Sequence, residues 1–100
     1  MTIINNTLSF APHIQEDAIT WLKTVYVHLF SACPLVQHAR LLQIEHQGDA
    51  EDCFALQIHF AQKEHYTQYK EKYAPDFEQI FTAKFQNMAG IFSTVLHEVE

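Results

Sequence analysis

Alternating hydrophobic and polar positions divide the chain into four strand-like segments. Residues 3–10 alternate regularly, with apolar side chains and one Asn on one face and mostly polar side chains on the other. Residues 54–60 have the cleanest alternation, whereas residues 35–46 and 88–98 alternate less regularly. A period of two residues is typical of a strand with two unlike faces. The pattern therefore predicts four strands, and its regularity over 54–60 favours a central position for that segment.

Two other segments have apolar residues spaced three and four apart, which predicts amphipathic helices. The first runs from about residue 13 to about residue 31 and ends before Pro34. The second starts near residue 63, and its apolar face is a stripe of Tyr and Phe side chains that ends at Phe85. Pro75 lies within this stripe and cannot donate the backbone hydrogen bond that a helix interior requires. We therefore expect a break near Tyr73, with Pro75 opening a second helical segment.

The predicted order is strand, helix, strand, strand, helix, strand within a single domain that spans residues 1–100. Gln47, Gly48 and Asp49 form a turn signal between the second and third strands, which we expect to pair as a hairpin. This order is typical of the ferredoxin-like βαββαβ fold, an α+β fold in which a four-stranded antiparallel sheet carries two helices on one face. In that layout the first and third strands occupy the centre of the sheet.

The charge balance argues against anionic macromolecular partners. Six basic residues and 12 acidic residues give a formal net charge of -6, so we predict binding neither to nucleic acid nor to a membrane. No apolar run reaches the roughly 20 residues that cross a bilayer, and residues 1–6 do not resemble a secretory signal. Cys33 and Cys53 are then expected to be reduced thiols in the cytoplasm, with a disulfide between them as the less favoured alternative.

The sheet face that the helices do not cover is the predicted place for a binding site, because polar and apolar positions mix on it. Such a face is either an ordinary solvated surface or a surface covered by a second subunit around a cavity, and the second alternative is favoured. By strand alternation, the polar ligand-binding candidates on this face are Asn5, Thr7, Arg40, Gln57, His59 and Ser93, with Val95 and His97 beside Ser93.

Among these candidates, His59 could act as a general base, since an unperturbed imidazole titrates at about pH 6.5. The simpler interpretation is that His59, Gln57, Asn5 and Thr7 hydrogen-bond with one another or with a partner subunit, because no complete catalytic set accompanies them. The seven histidines of the chain include no HxH or HxxxH spacing, so no metal site is predicted.

A haem-binding interpretation is disfavoured. Asn5 or Asn6 together with His65 loosely resembles the arrangement in dimeric barrels that degrade haem, but the position of Trp21 does not support it. We therefore predict no cofactor.

The C-terminal third of the chain resembles a known family. The residues that carry this resemblance are Tyr66-x-x-Tyr69, Tyr73-Ala74-Pro75-x-Phe77, Phe85 and Phe92-Ser93-Thr94-Val95-Leu96. They are similar to the end of a bacterial family known as domain of unknown function forty-two eighty-six. Trp21-Leu22 and Arg40-Leu41-Leu42 extend the likeness over nearly the whole chain. The resemblance implies a ferredoxin-like fold of the dimeric α/β-barrel type, without an established activity.

Two departures from this family bear on function. Relatives tend to carry an Arg where this chain has Ser93, which implies that any anion-binding role of that Arg is lost here. They also tend to carry a His-Ile-Pro-like step late in the first helix, where this chain has His28-Leu29-Phe30.

The sequence thus favours a soluble dimer of unknown function that binds a second copy of itself through the open sheet face and holds a small ligand or partner there. The alternative is a small cofactor-independent enzyme of the monooxygenase or isomerase type, which predicts an enclosed apolar pocket containing His59 and another polar group. A third alternative is a scaffold that only dimerises, which predicts a sheet face filled by the partner without a cavity.

Overall fold

The four strands and two helical regions follow the predicted order along the chain. The computed structural model describes residues 1–45 and 52–99. Its strands are β1 (Thr2–Phe10), β2 (His38–Ile44), β3 (Cys53–Phe60) and β4 (Ala89–His97). The turn predicted at Gln47–Asp49 lies outside the described residues.

The first helical region is continuous over residues 12–32, but its hydrogen-bonding type changes along its length. A 3₁₀ turn at Pro12–Ile14 leads into α1 (Gln15–Trp21), a π-helical turn at Leu22–Tyr26 and then α2 (Val27–Ala32). Pro12 suits the start because its fixed backbone angle is helical and its missing N–H would have no partner there. Cys33 is extended and ends the helix directly before Pro34, as predicted.

The second helical region is divided near Tyr73, which confirms the effect expected of Pro75. The region comprises α3 (Lys63–Lys72) and α4 (Ala74–Phe85), and Pro75 lies in the first turn of α4. The Tyr73 amide donates to the Tyr69 carbonyl at 2.8 Å and the Phe77 amide donates to the Tyr73 carbonyl at 3.1 Å. These two hydrogen bonds therefore span the division between α3 and α4 at Tyr73. A short 3₁₀ turn at Gln86–Met88 then leads into β4.

The strands form one antiparallel sheet in the order β2-β3-β1-β4, so the prediction of β1 and β3 as the central strands is confirmed. The untidy alternation of β2 does not come from a bulge, since its pairing with β3 is regular from His38 to Ile44. Its apolar residues instead divide between two faces. Leu41 packs against the core, whereas Leu42 and Ile44 are exposed on the other side.

The core lies between the sheet and the helices, which cover the same sheet face, as predicted. Phe10 contacts both Phe81 and Phe85 of α4, and Phe60 of β3 contacts Tyr69 of α3. The aromatic stripe of the second helical region is thus core, as its spacing predicts. These T-shaped and tilted ring contacts add to the burial of apolar area, which is the main stabilising contribution to such a fold.

The prediction that Ser93, Val95 and His97 lie on the open face is wrong. In the pairing of β4 with β1, Ser93 stands directly opposite Asn6 and Val95 directly opposite Ile4. Directly opposed residues of an antiparallel pair share a face, and Asn6 and Ile4 are buried beneath the helices. The alternation of β4 separates two sets of residues correctly, but both sets contain apolar residues, so the pattern alone could not decide which set faces the helices.

No helix within residues 1–45 and 52–99 is long and apolar enough to cross a membrane. Cys33 is buried in the core, and it is not joined to Cys53 in a disulfide.

Candidate functional site

A row of polar side chains crosses the open face of the sheet at right angles to the strands. Arg40 stands opposite Gln57, Gln57 opposite Asn5, and Asn5 opposite Thr94. The Arg40 guanidinium donates to Gln57 Oε1 at 3.5 Å, and Gln57 Nε2 donates to Asn5 Oδ1 at 3.2 Å. Asn5 Nδ2 in turn reaches the Thr7 hydroxyl at 3.5 Å. We call Arg40, Gln57, Asn5 and Thr94 the polar row. It brings together three of the predicted site residues, Arg40, Gln57 and Asn5, and Thr7 is attached to it through Asn5.

His59, the fifth predicted residue on this face, lies in a basic cluster next to the polar row. Its ring packs against the ring of His38 with 5.5 Å between centroids, and Arg40 is the next residue on the same face of β2. Burial, the Arg40 charge and the His38 ring together lower the pKa of His59 below its usual value. Its Nε2 atom is buried and has no hydrogen-bond partner within the described chain. His59 is therefore held neutral, and the structure gives it no acid or base partner.

Apolar side chains flank the polar row at both edges of the open face. Leu42 and Ile44 are exposed on β2, and Phe92 and Leu96 are exposed on β4. Phe92 has 70% of its surface accessible, which is far more than a core aromatic residue would have. Several large apolar side chains on one face indicate an interaction surface rather than a solvated one.

A cavity of about 440 Å³ lies on the opposite face, between the sheet and the helices. Its deep part is lined by buried residues of β1 and of the helices, and its rim by exposed residues of α3, α4 and β4. The deep residues are Ile4, Asn6, Tyr26, Phe30, Tyr69, Ala74 and Phe81. The rim residues include Lys70, Glu78, Thr82, Ile91, Ser93 and Val95.

Asn6 is the polar residue on the β1 side of this cavity. Only 8% of its surface is accessible, and its Oδ1 accepts a hydrogen bond from the Ser93 hydroxyl. Its Nδ2 amide has no partner among the residues that the structure describes. The amide is therefore free to donate to a ligand atom in the cavity that accepts a hydrogen bond.

Two tyrosine hydroxyls lie on the helical side of the cavity. The hydroxyl of Tyr26, which ends the π-helical turn, donates to the Phe77 carbonyl at 2.9 Å. Burial raises the pKa of Tyr26 and of Tyr69 far above the usual value, and the carboxylate of Glu78 raises both further. Both tyrosines therefore stay protonated and serve as hydrogen-bond donors, and the hydroxyl of Tyr69 has no partner in the described chain.

The predicted site residues therefore divide between the two faces. Asn5, Thr7, Arg40, Gln57 and His59 come together on the open face, whereas Ser93 lies at the cavity with Asn6. Neither His59 of the enzyme alternative nor His65 of the haem interpretation lines the cavity. Sequence reasoning missed the cavity, although Asn6 within the apolar face of β1 was a signal.

Within residues 1–45 and 52–99, no three His, Cys, Asp or Glu side chains lie close enough to hold a metal ion. The polar groups of the cavity are instead an amide, hydroxyls, one ammonium and one carboxylate, which suit hydrogen bonding to an organic molecule.

Comparison with known sequences assigns a family. Residues 1–99 match the family described as "Domain of unknown function (DUF4286)". The chain belongs to this family. The resemblance noted in its C-terminal third therefore holds over almost its full length. Among curated proteins, none matches the sequence.

Solved structures share the fold of this DUF4286 chain at low sequence identity. An ethyl tert-butyl ether d (EthD) family protein from Bacillus halodurans superimposes with a TM-score of 0.75 and 10% identity, covering 99% of this chain and 100% of its own. The heme-degrader MhuD from Mycobacterium tuberculosis has a TM-score of 0.68 and 12% identity, with coverages of 100% and 97%. SnoaB, a cofactor-independent oxygenase from Streptomyces nogalater, has a TM-score of 0.67 and 11% identity, with coverages of 99% and 93%.

The predicted fold class is thereby confirmed as ferredoxin-like, of the type found in dimeric α/β-barrel proteins. At these identities the likeness establishes the fold of the DUF4286 chain, and function depends on the residues of its own cavity.

Proposed function

We propose that this DUF4286 protein binds a small, largely apolar molecule that carries a hydrogen-bond-accepting oxygen. The observation that carries the proposal is the cavity of about 440 Å³ in which the Asn6 amide donor lacks a protein partner. Binding cavities commonly measure about 300–1,000 Å³ and combine an apolar lining with few polar groups that fix orientation. The apolar part of the ligand contacts Phe30 and Phe81, and its oxygen accepts from Asn6.

The rim of the cavity gives the ligand a second polar contact. Lys70 on α3 and Glu78 on α4 are exposed residues at the rim, and Thr82 lies one helical turn beyond Glu78. A ligand that enters between these helices and β4 keeps a polar end near these side chains while its apolar part fills the interior. Such a distribution of groups favours an elongated molecule over a compact charged metabolite.

The open face is assigned to a second copy of the chain rather than to the small ligand. Exposed Leu42, Ile44, Phe92 and Leu96 flank the polar row there. A second copy that covers them removes apolar surface from water, and amides and hydroxyls in the polar row hydrogen-bond across the interface. We also propose the cytoplasm as the location, where a buried thiol such as that of Cys33 stays reduced.

A second candidate function is catalysis without a cofactor, which the polar groups of the cavity favour over a purely structural role. Glu78 lines the same cavity as Tyr26 and Tyr69, and its carboxylate raises the pKa of both tyrosines. A carboxylate at the rim could accept a proton from a bound ligand while Asn6 stabilises negative charge that develops on the ligand oxygen. SnoaB shows that this fold accommodates cofactor-independent oxygenation. Glu78→Gln is then expected to abolish turnover while weakening binding only modestly, because the Asn6 contact and the apolar lining remain.

A pair of related compounds tests the binding proposal. The ketone 1-tetralone and the hydrocarbon tetralin share their ring system, but only the ketone can accept a hydrogen bond from Asn6. By calorimetric titration we expect the ketone to bind the unsubstituted protein about tenfold more tightly, because one buried hydrogen bond contributes about 1–1.5 kcal/mol. In Asn6→Ala the two compounds are expected to bind equally, and Asn5→Ala, on the other face of β1, is the matched control.

Amide chemical shifts identify where the compound binds. Perturbations confined to β1, β4 and the inner faces of α3 and α4 support the proposal. Shifts confined to the open face, or no binding of either compound at concentrations that saturate other apolar sites, would contradict it.

A further inference from the structure

One wall of the cavity between the sheet and the helices consists of aromatic rings that contact one another. The ring of Phe30 lies between those of Tyr69 and Tyr26, with 6.0 Å and 5.0 Å between centroids. The ring of Tyr26 is in turn 5.7 Å from that of Phe81. All four side chains are buried and line the cavity, and we call them the aromatic wall. Aromatic rings attract cations through their π-electrons, so this wall favours a positively charged group over a negative one.

A carboxylate stands next to the aromatic wall. Among the described residues that line the cavity, Glu78 supplies the one carboxylate. The Tyr26 hydroxyl donates at 2.9 Å to the carbonyl of Phe77, the residue before Glu78, which joins the wall to α4 at this point. Glu78 is exposed and forms no ion pair with any described residue. Its charge is therefore available to a group on the ligand.

The rim also carries Lys70, but the two rim charges act differently on the cavity interior. Burial raises the pKa of Tyr26 and of Tyr69, and the Glu78 carboxylate raises both further, whereas Lys70 contributes to neither shift. The negative charge is thus felt at the buried hydroxyls and the positive charge is not. The net charge of -6 acts in the same direction, because an acidic chain attracts cations and repels anions.

We propose that the ligand of this cavity is an amine whose protonated nitrogen lies between the Glu78 carboxylate and the aromatic wall. This inference rests on the proposed function and specifies the charge at the polar end of the ligand. An ion pair with Glu78 and a cation–π contact with a ring within about 6 Å both require a positive charge. The ligand then combines a hydrocarbon part, an oxygen that accepts from Asn6, and an ammonium group at the rim.

The competing ligand class is an acid whose carboxylate pairs with Lys70. In that arrangement a second negative charge approaches Glu78, and like charges repel more strongly where water is partly excluded. The aromatic wall offers an anion no compensating contact, because the faces of aromatic rings are negative. Lys70 is exposed and has a flexible stem, so its ammonium can turn into solvent when a cationic ligand binds.

A series of compounds with one hydrocarbon part tests the charge of the ligand. Phenylbutylamine, phenylbutanol and phenylpentanoate share a phenyl ring and the same alkyl chain, and they end in an ammonium, a hydroxyl and a carboxylate group. By calorimetric titration at pH 7 and low salt, we expect the amine to bind roughly five- to tenfold more tightly than the alcohol, because the ion pair and the cation–π contact add. The acid should bind most weakly.

Variants that remove one charge locate the source of this preference. In Glu78→Gln the preference for the amine is expected to fall to about twofold, the part that the aromatic wall supplies. Glu71→Gln removes the same charge from an exposed position on α3 that does not line the cavity, so the preference should remain. Circular dichroism spectra establish that both variants are folded.

Each outcome supports or overturns the amine. Equal binding of the amine and the alcohol, or a preference that Glu78→Gln leaves unchanged, overturns it. Tightest binding by the acid, lost in Lys70→Gln, overturns it in favour of an anionic ligand. If none of the series binds while 1-tetralone still distinguishes the unsubstituted protein from Asn6→Ala, the amine is overturned and the proposed cavity stands. If 1-tetralone also fails to bind, the proposed function is overturned together with the amine.

Discussion

Asn6 and Ser93 stand directly opposite each other on β1 and β4, and the Ser93 hydroxyl donates its hydrogen bond to Asn6 Oδ1. This contact fixes which end of the Asn6 side chain faces the cavity. With Oδ1 already engaged, the amide Nδ2 is the group left for a ligand. Ser93 thus acts on a ligand through Asn6, as a positioning residue.

Replacing Ser93 with Ala is expected to weaken ketone binding about three- to tenfold, because Asn6 loses the contact that orients its amide, and one such hydrogen bond contributes about 1 kcal/mol. Binding of tetralin, which has no acceptor, should not change. Thr94→Ala provides the control, since Thr94 is the next residue of β4 and points to the other face. Calorimetric titration of both compounds measures the difference; an equal loss of affinity for both would contradict the positioning role.

The lowered pKa of His59 predicts how stability depends on pH. In the unfolded chain an imidazole titrates at about pH 6.5, whereas in the folded chain His59 takes up its proton only at lower pH. The unfolded state therefore binds more protons as the pH falls below about 6.5, and the free energy of unfolding decreases. His59→Gln is expected to reduce this dependence. Urea unfolding between pH 5 and pH 8 would measure it, with His13→Gln at an exposed position as the control.

The raised pKa values of Tyr26 and Tyr69 predict an incomplete alkaline titration. The chain has four tyrosines, and two of them are held protonated by burial and by Glu78. At a pH modestly above 10, the usual tyrosine value, we expect the absorbance contributed by Tyr26 and Tyr69 to appear only when the protein unfolds. Tyr26→Phe should lower the final amplitude but not the part that appears before unfolding. A full-amplitude titration of the folded protein would be inconsistent with the buried hydroxyls.

The position of the core predicts that truncating two aliphatic residues lowers the free energy of unfolding by different amounts. Leu56 of β3 is completely buried beneath the helices, whereas Ile80 of α4 is 38% accessible although it belongs to the same apolar periodicity as the aromatic stripe. Leu56→Ala is expected to lower the free energy of unfolding by about 2–5 kcal/mol, because it leaves a cavity in packed surroundings. Ile80→Ala should cost clearly less. Denaturant midpoints of both variants at equal protein concentration provide the test.

Local sequence patterns were sufficient to predict the strand order, the helix break at Pro75 and the central position of β3. These features depend on periodicity and on proline geometry, which act over a few residues. The pattern also grouped Asn5, Thr7, Arg40, Gln57 and His59 correctly, because their three strands are neighbours in the sheet and β1 and β3 alternate regularly.

Ser93 and the cavity could not be predicted in the same way. The face on which Ser93 lies is set by the register between β4 and β1, whose residues are about 90 positions apart in the chain. The residues on both faces of β4 are exposed. The amino-acid composition of the two faces therefore does not show which face points toward the helices. The cavity depends on the distance of the helices from the sheet, and on a π-helical turn that places Tyr26, neither of which alternation describes.

The exposure of β4 has a consequence for the tendency of the protein to aggregate. β4 is an edge strand, and from Ala89 to Leu96 it contains neither a charge nor a proline. Such an edge is a template for pairing with strands of other molecules, which is the route to amyloid-like assembly. The proposed second copy on the open face would cover the exposed Phe92 and Leu96 side chains of β4. At a given protein concentration, substitutions that separate the proposed copies are therefore expected to shorten the time before the protein aggregates, even where the fold of each chain survives.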